Sequence, residues 1–272
     1  MILLLAGTKD GRELAADLVS AGFRVLASVT TPYGGALLRE IPGVIVKIGR
    51  LDAAEMQRLV DRHRIKGILD ATHPFAAEIS QVAENVARSS GRPYLRWERQ
   101  SAALPESSLL YQVQDWDGVA EKISDLHARS IFLAVGVNNL AFIVGHPLLS
   151  HCSFAVRVLP LPGAVSTCLR VGLKPQQIVA LQGPGSRELN RTLFEHFQVD
   201  ALVTKESGPE GGTAEKVRAA LDLGIPIVLV ERPVSERTDY GHVVSDKDAV
   251  IRWAEQVEYQ STDFFVKQEG IR

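Results

Sequence analysis

Cysteine is almost missing from this chain of 272 residues: Cys152 and Cys168 are the only two, and they do not form a Cx2C pair. This argues against zinc and disulfide frameworks and fits a reducing, cytoplasmic compartment. Strong charge of either sign is also missing. The formal net charge is -2 and the pI is near 6.4, so no basic footprint for nucleic acid exists. No basic leader precedes the apolar N-terminus, whose apolar run stops at Gly7, and a signal peptide is not expected. The other long apolar stretch, Ile131 to Gly145, is interrupted by Asn138 and Asn139 and does not read as a membrane span. Neither a GxGxxG fingerprint nor a Walker A core occurs, and there is no sequence repeat or metal-ligand cluster. What remains, with 46% hydrophobic and 23% charged residues, is ordinary globular composition, long enough for one large domain or two smaller ones.

The first half is organised around Ile2 to Arg12. Four apolar residues, Ile2 to Leu5, suit a strand buried on both faces of a parallel sheet. Ala6, Gly7 and Thr8 then make a tight turn. Leu14, Ala15, Leu18, Val19 and Phe23 recur at helical spacing behind it. A strand end leading straight into a helix N-terminus offers backbone N–H groups and a positive dipole end to an anion such as a nucleotide phosphate. Gly7, Thr8, Gly11 and Arg12 are therefore candidate cofactor contacts. Phe23 to Val29 reads as the second strand, followed by a turn at Thr30, Thr31 and Pro32. No acidic residue ends this strand to hold ribose hydroxyls. Thr30 and Thr31, with Arg39 nearby, suit a 2′-phosphate better and favour NADPH if a cofactor binds; an ordinary Ser/Thr-rich turn is the plainer reading.

Val44 to Ile48 and Gly67 to Leu69 are further strands. The latter delivers Asp70, Ala71, Thr72, His73, Pro74 and Phe75 to the same predicted sheet edge as the first turn. His73 is a candidate proton donor there, since imidazole titrates near neutrality; Thr72 is a candidate cofactor contact. A capping role for Asp70 or Thr72, with His73 hydrogen-bonded to the backbone, is the plainer reading of the same residues. Tyr94 to Trp97 makes a fifth strand, and Glu98 to Ser108 reads as a loop leaving a first domain. Two domains, 1–100 and 101–272, are expected. The strand-helix alternation restarts beyond the loop, so each half is an α/β, doubly wound, Rossmann-like parallel sheet, with ligands at the carboxyl ends of its strands.

In the second half, Gly136 and Asn138 end one strand, where Asn138 is placed to cap the next helix. Arg157 lies in another strand. Gln182 to Ser186 makes a Gly-rich turn. Ala201 to Thr204 leads into Lys205, Glu206, Ser207, Gly208, Pro209, Glu210, Gly211, Gly212 and Thr213, with a helix behind. Lys205 and Lys216 bracket this loop, and Thr213 is placed to cap the helix. Such a loop can wrap an anion with backbone amides while a lysine supplies charge. Arg232, after the last buried strand, can pair bidentately with a carboxylate or phosphate.

Taken in order, LLLAGTKDGRELA, ILDATHPFAAEIS, YLRWERQ, RVLP, LQGPGSRELN, LVTKESGPEGGTAEK and the closing ERP resemble the precorrin-6A reductase family over residues 2 to about 233. The resemblance implies two Rossmann-like domains with the substrate between them. It implies an NADPH- or NADH-dependent reductase that saturates one carbon-carbon double bond of a methylated tetrapyrrole in cobalamin synthesis. A macrocycle edged with acetates and propionates needs cationic or amide-rich contacts, and Arg96, Arg157, Ser207, Gly208, Gly211, Gly212, Thr213, Lys216 and Arg232, at strand ends or in loops, are the candidates for them. His73 and Lys205 become the candidate catalytic residues, and transient contact with neighbouring corrin-pathway enzymes is expected. One departure is Gly185, where the family is expected to carry a bulkier residue. Cobalt-free and cobalt-loaded substrates are not separated at this point. Another Rossmann-type oxidoreductase and a non-catalytic nucleotide-sensing module remain the alternatives.

Overall fold

The computed structural model describes residues 1–233 and 241–269, and of residues 260–269 only the backbone. Short apolar strands alternate with amphipathic helices throughout, and every strand pair is parallel. The chain divides into two compact units, Met1–Arg99 with Val234–Arg272, and Gln100–Pro233. The expected second domain, 101–272, is therefore corrected at its far end. The C-terminal strand and helix pack on the first unit because they supply the cover that its fifth strand needs.

In the first unit the strands are β1 (Ile2–Leu5), β2 (Val25–Val29), β3 (Val44–Ile48), β4 (Gly67–Asp70), β5 (Tyr94–Trp97) and, from the returning chain, β12 (Gly241–Val244). Their order across the sheet is β12-β5-β4-β1-β2-β3. Read from β3, this is the 3-2-1-4-5-6 order of dinucleotide-binding domains. Helices α1 (Lys9–Ser20) and α10 (Lys247–Glu269) cover one face, where Leu14, Leu18, Trp253 and Val257 join Ile2, Leu4, Leu69 and Leu95. Helices α3 (Ala53–Arg62) and α4 (Ala77–Ser89) cover the other face, with Met56, Val60, Val86 and Ala87 against Leu3, Leu5 and Ile68. Helix α2 (Pro32–Arg39) follows the turn after β2. It was not expected: only a turn at Thr30, Thr31 and Pro32 is read in the sequence there. Thr31 caps it, and Gly35 lets it lie against Ile48, whose Cδ1 a methyl there would meet at 2.3 Å.

In the second unit the strands are β6 (Leu110–Val113), β7 (Ser130–Ala134), β8 (Ser153–Val158), β9 (Ile178–Ala180), β10 (Ala201–Lys205) and β11 (Ile227–Val230). They are ordered β6-β11-β10-β7-β8-β9. Helix α5 (Trp116–Asp125) packs on β6 and β11. Helix α6 (Leu140–Val144) follows β7, and α7 (Pro162–Arg170) follows β8. Helices α8 (Arg187–His196) and α9 (Thr213–Asp222) close a core in which Phe194, Val217 and Ala220 meet Phe132, Ala155 and Leu202. The strand order reverses between β1 and β4 in the first unit and between β7 and β10 in the second. Each unit thus has its own switch point, the place where open α/β sheets take ligands.

Candidate active site

At the switch point of the first unit, Thr8 binds two turns together. Its hydroxyl donates to the Ala71 carbonyl at 3.0 Å and accepts the Gly11 N–H at 3.0 Å, capping α1. Gly11 is a packing requirement, since a Cβ there would lie 2.8 Å from the Ala6 Cα. Gly7 is different: it is exposed, and a Cβ on it would meet nothing within 4 Å, so a ligand has room above it. Arg12 turns back to donate to the Thr8 carbonyl at 3.4 Å. Asp10, in the first turn of α1, is buried against Arg99 at 2.8 Å, a pair that the sequence reading missed. Thr30 and Thr31 are exposed at the end of β2, and Thr31 accepts the Gly34 N–H at 3.1 Å. Arg39 ends α2, about two helical turns from Thr31, because the unexpected helix carries it away.

The turn after β4 rests on a buried network. Asp70 is fully buried; it pairs with Arg96 at 2.7 Å and accepts the Tyr94 hydroxyl at 2.9 Å and the Thr72 N–H at 2.9 Å. Burial, with the neighbouring Asp70 carboxylate, holds the Tyr94 hydroxyl well above its ordinary pKa. Arg96 also donates to the Thr72 and Ser80 hydroxyls, at 2.7 and 3.2 Å. Arg96 is thus committed to the protein's own carboxylate, and Thr72 to Arg96. Neither Asp70 nor Thr72 caps α4, whose N-cap is Ala76. His73 is half-buried, and its Nδ1 accepts the Phe75 N–H at 3.2 Å. In the neutral ring this arrangement leaves the N–H on Nε2, the nitrogen not engaged by Phe75.

In the second unit Lys205 ends β10 with its ammonium 5.1 Å from the Trp116 ring centroid, and burial lowers its pKa to about 8. Glu206 accepts the N–H groups of Ala102 and Gly208, at 3.0 and 2.9 Å, and forms a buried ion pair with Arg232. Arg232 also donates to the Gln100 carbonyl at 3.1 Å. It therefore braces the loop. Thr213 does not cap α9 either: its hydroxyl accepts the Ser207 N–H and donates to the Lys205 carbonyl, both at 3.1 Å, and Gly212 is the N-cap. Gly208 and Gly212 have φ of 71° and 63°, which side chains resist, and a Cβ on Gly211 would overlap the Ser207 Cβ. The loop is built by its glycines. Asn138 does not cap α6, whose N-cap is Asn139.

Behind this loop Lys216 is buried and donates to the Gly211 carbonyl at 3.0 Å. Burial first, then nearby Arg157, lowers its pKa to about 7 against the opposing pull of Glu206. Arg157 donates to the Asn190 amide oxygen at 2.9 Å, and burial lowers its pKa as well. Asn190, fully buried, also donates to the carbonyls of Gly185 and Ser186, at 3.1 and 2.7 Å. The absence of a side chain at Gly185 leaves space for Arg157, since a Cβ there would lie 3.2 Å from its Nη1. Asn190 was missed in the sequence. Its signal was a polar residue four positions before Phe194, on the face that α8 buries. Among the described residues no group of three or more His, Cys, Asp or Glu is placed to hold a metal ion, and no helix is long and apolar enough to cross a membrane.

A family model described as precorrin-6x reductase CbiJ/CobK matches residues 1–255. A cobalt-precorrin-6A reductase of Priestia megaterium is 37% identical over 252 residues, which cover 92% of this chain and 96% of that protein. One of Methanocaldococcus jannaschii is 33% identical over 253 residues, 93% and 97% of the two chains. A solved structure titled CobK precorrin-6A reductase superimposes with a TM-score of 0.75 at 22% identity, covering 94% of this chain and 96% of that one. The structural likeness carries the fold, and the sequence relatives carry the family.

Proposed function

This chain belongs to the precorrin-6x reductase family, and we propose that it uses NADPH to reduce one carbon-carbon double bond of a precorrin-6A-type macrocycle in corrin synthesis. The observation that carries this reading is the β1–α1 turn at a switch point of 3-2-1-4-5-6 order, in a chain matched over 1–255. The residues there fit a dinucleotide phosphate. Gly7 leaves open space over the N-terminus of α1, and Thr8 fixes the turn. Thr30 and Thr31, with no carboxylate at the end of β2, suit a 2′-phosphate. When bound, the cofactor supplies a hydride to one carbon of the conjugated system.

The chain's own residues then have two tasks. One is to hold an acidic macrocycle, for which Lys205, at the start of the Ser207 to Thr213 loop, is suited in the second unit. The other is to deliver a proton to the carbon adjacent to the one reduced. His73, through Nε2 of its protonated ring, and Lys205, with a pKa of about 8, are the two donors.

Both curated relatives above are cobalt-precorrin-6A reductases, which favours the cobalt-loaded substrate over the metal-free one. Anaerobic assays with each macrocycle, following NADPH absorbance at 340 nm with NADH in parallel, test both points. The expected result is macrocycle-dependent oxidation, faster with NADPH and with cobalt-precorrin-6A. Tight NADPH binding with no turnover on either macrocycle would overturn the reading in favour of a nucleotide-sensing module.

A further inference from the structure

Cations withdrawn from solvent normally face a carboxylate, yet half-buried Arg157 and buried Lys216 in the second unit do not. Among the described residues Arg157 and Lys216 form no ion pair. Their hydrogen-bond acceptors are the neutral oxygens of Asn190 and Gly211. Glu206, the carboxylate that acts on Lys216, is already engaged by Arg232. A third group nearby is also unsatisfied. Thr204 is fully buried, and its Oγ1 has no hydrogen-bond partner.

The sheet register brings Arg157 and Thr204 to one spot. Ala134 lies beside Thr204 across β7 and β10. Val156 lies beside Leu133 across β8 and β7, so the next residue, Arg157, lies beside Ala134. Neighbouring strands are about 4.8 Å apart, and Arg157 and Thr204 therefore flank a single methyl group. Ala155 and Leu202, two residues earlier on the flanking strands, share the core cluster with Val217 and Ala220 of α9. Side-chain alternation thus puts Arg157, Ala134 and Thr204 on the face that α9, with Lys216, covers. Ala134 is half-buried although its strand is central, so solvent reaches the sheet at the residue between Arg157 and Thr204.

We propose that the sheet face over Ala134 is an oxyanion site in which Arg157, Lys216 and the Thr204 hydroxyl hold one carboxylate of the substrate's periphery. The assignment to a carboxylate rests on the function proposed above; the site itself does not. Its position at the β7/β10 switch point is where this topology takes a ligand. The incoming anion satisfies the orphan hydroxyl and supplies the missing counter-charge to both cations. A cofactor phosphate has the same chemistry, and the test separates the two sources.

Uroporphyrin III, whose rim carries acetates and propionates, and 2′,5′-ADP serve as probes in separate titrations of the full chain. Thr204→Val and Lys216→Met are each expected to weaken uroporphyrin III binding about tenfold, the scale of one hydrogen bond or ion pair to a charged group. Thr204→Ser restores it, and 2′,5′-ADP binds all variants equally. Unchanged uroporphyrin III binding in Thr204→Val and Lys216→Met overturns the site. Weakened 2′,5′-ADP binding in its place overturns the carboxylate assignment. If the variants behave as expected while the wild type oxidises no NADPH with either precorrin, the site stands and the reductase reading fails.

Discussion

Arg96 lies directly across from Asp70 on neighbouring strands, 2.7 Å from its carboxylate, and both side chains are shut away from solvent. The pair sits beneath the turn that presents His73, so it sets the shape of the candidate site without reaching into it. Arg96→Met leaves a buried carboxylate without its counter-charge, a loss of about 3–5 kcal/mol. Urea unfolding checks this. An arginine whose only task was to hold substrate would leave the unfolding midpoint where it was and raise only the KM.

The two glycines of the opening turn should separate cleanly. Gly11→Ala forces a methyl against the Ala6 backbone and should cost about 1–3 kcal/mol. Gly7→Ala meets nothing and should leave stability within about 0.5 kcal/mol, while raising the KM for NADPH by intruding on the phosphates. Thermal unfolding and steady-state kinetics on both variants distinguish packing from ligand space.

Lys216 gives the protein a signature in pH. Its folded pKa, about 7, lies below the ordinary 10.5, so between those values the unfolded chain holds a proton that the native chain has released. Stability must then rise as pH increases from about 7 towards 10.5, and the burial penalty is felt in full below 7. Lys216→Met removes this slope and stabilises the ligand-free protein most at low pH. Denaturant midpoints at pH 6 and pH 9 measure it; parallel pH dependences in variant and wild type would refute it.

His73→Ala should lower kcat by about 10²–10⁴-fold if Nε2 delivers the proton, with little change in the KM for NADPH. Unchanged turnover would pass that role to Lys205, whose own pKa of about 8 suits it. Stopped-flow single turnovers, which separate the chemical step from product release, are the appropriate measurement.

The strand-helix rhythm was legible because parallel strands buried on both faces read as unbroken apolar runs, as in Ile2 to Leu5 and Ile227 to Val230. Helix α2 was not, since Tyr33, Gly34 and Gly35 carry turn composition and their helix depends on Thr31 and on contact with Ile48. β12 was missed as well: half-buried at a sheet edge, Gly241–Val244 lacks the apolar run that marks the others. At the site, residue types were readable and their partners were not. Arg96 and Arg232 look like ligand-seeking cations in one dimension. Only the fold shows that Asp70 and Glu206, each 26 residues away in sequence, occupy them. Thr204 carried no signal at all, because an orphan hydroxyl is defined by what surrounds it.

The return of β12 and α10 to the first unit has a consequence for how the protein is made. The second unit is one unbroken length of chain, whereas the first leaves the ribosome in two instalments with the second between them. Until the last residues emerge, β5 has a bare edge and the apolar face around Leu95 and Trp97 lacks Trp253 and Val257. A released chain that ends near residue 233 should therefore have a protease-resistant second unit and a protease-sensitive first one, with the order of completion the reverse of the order of synthesis.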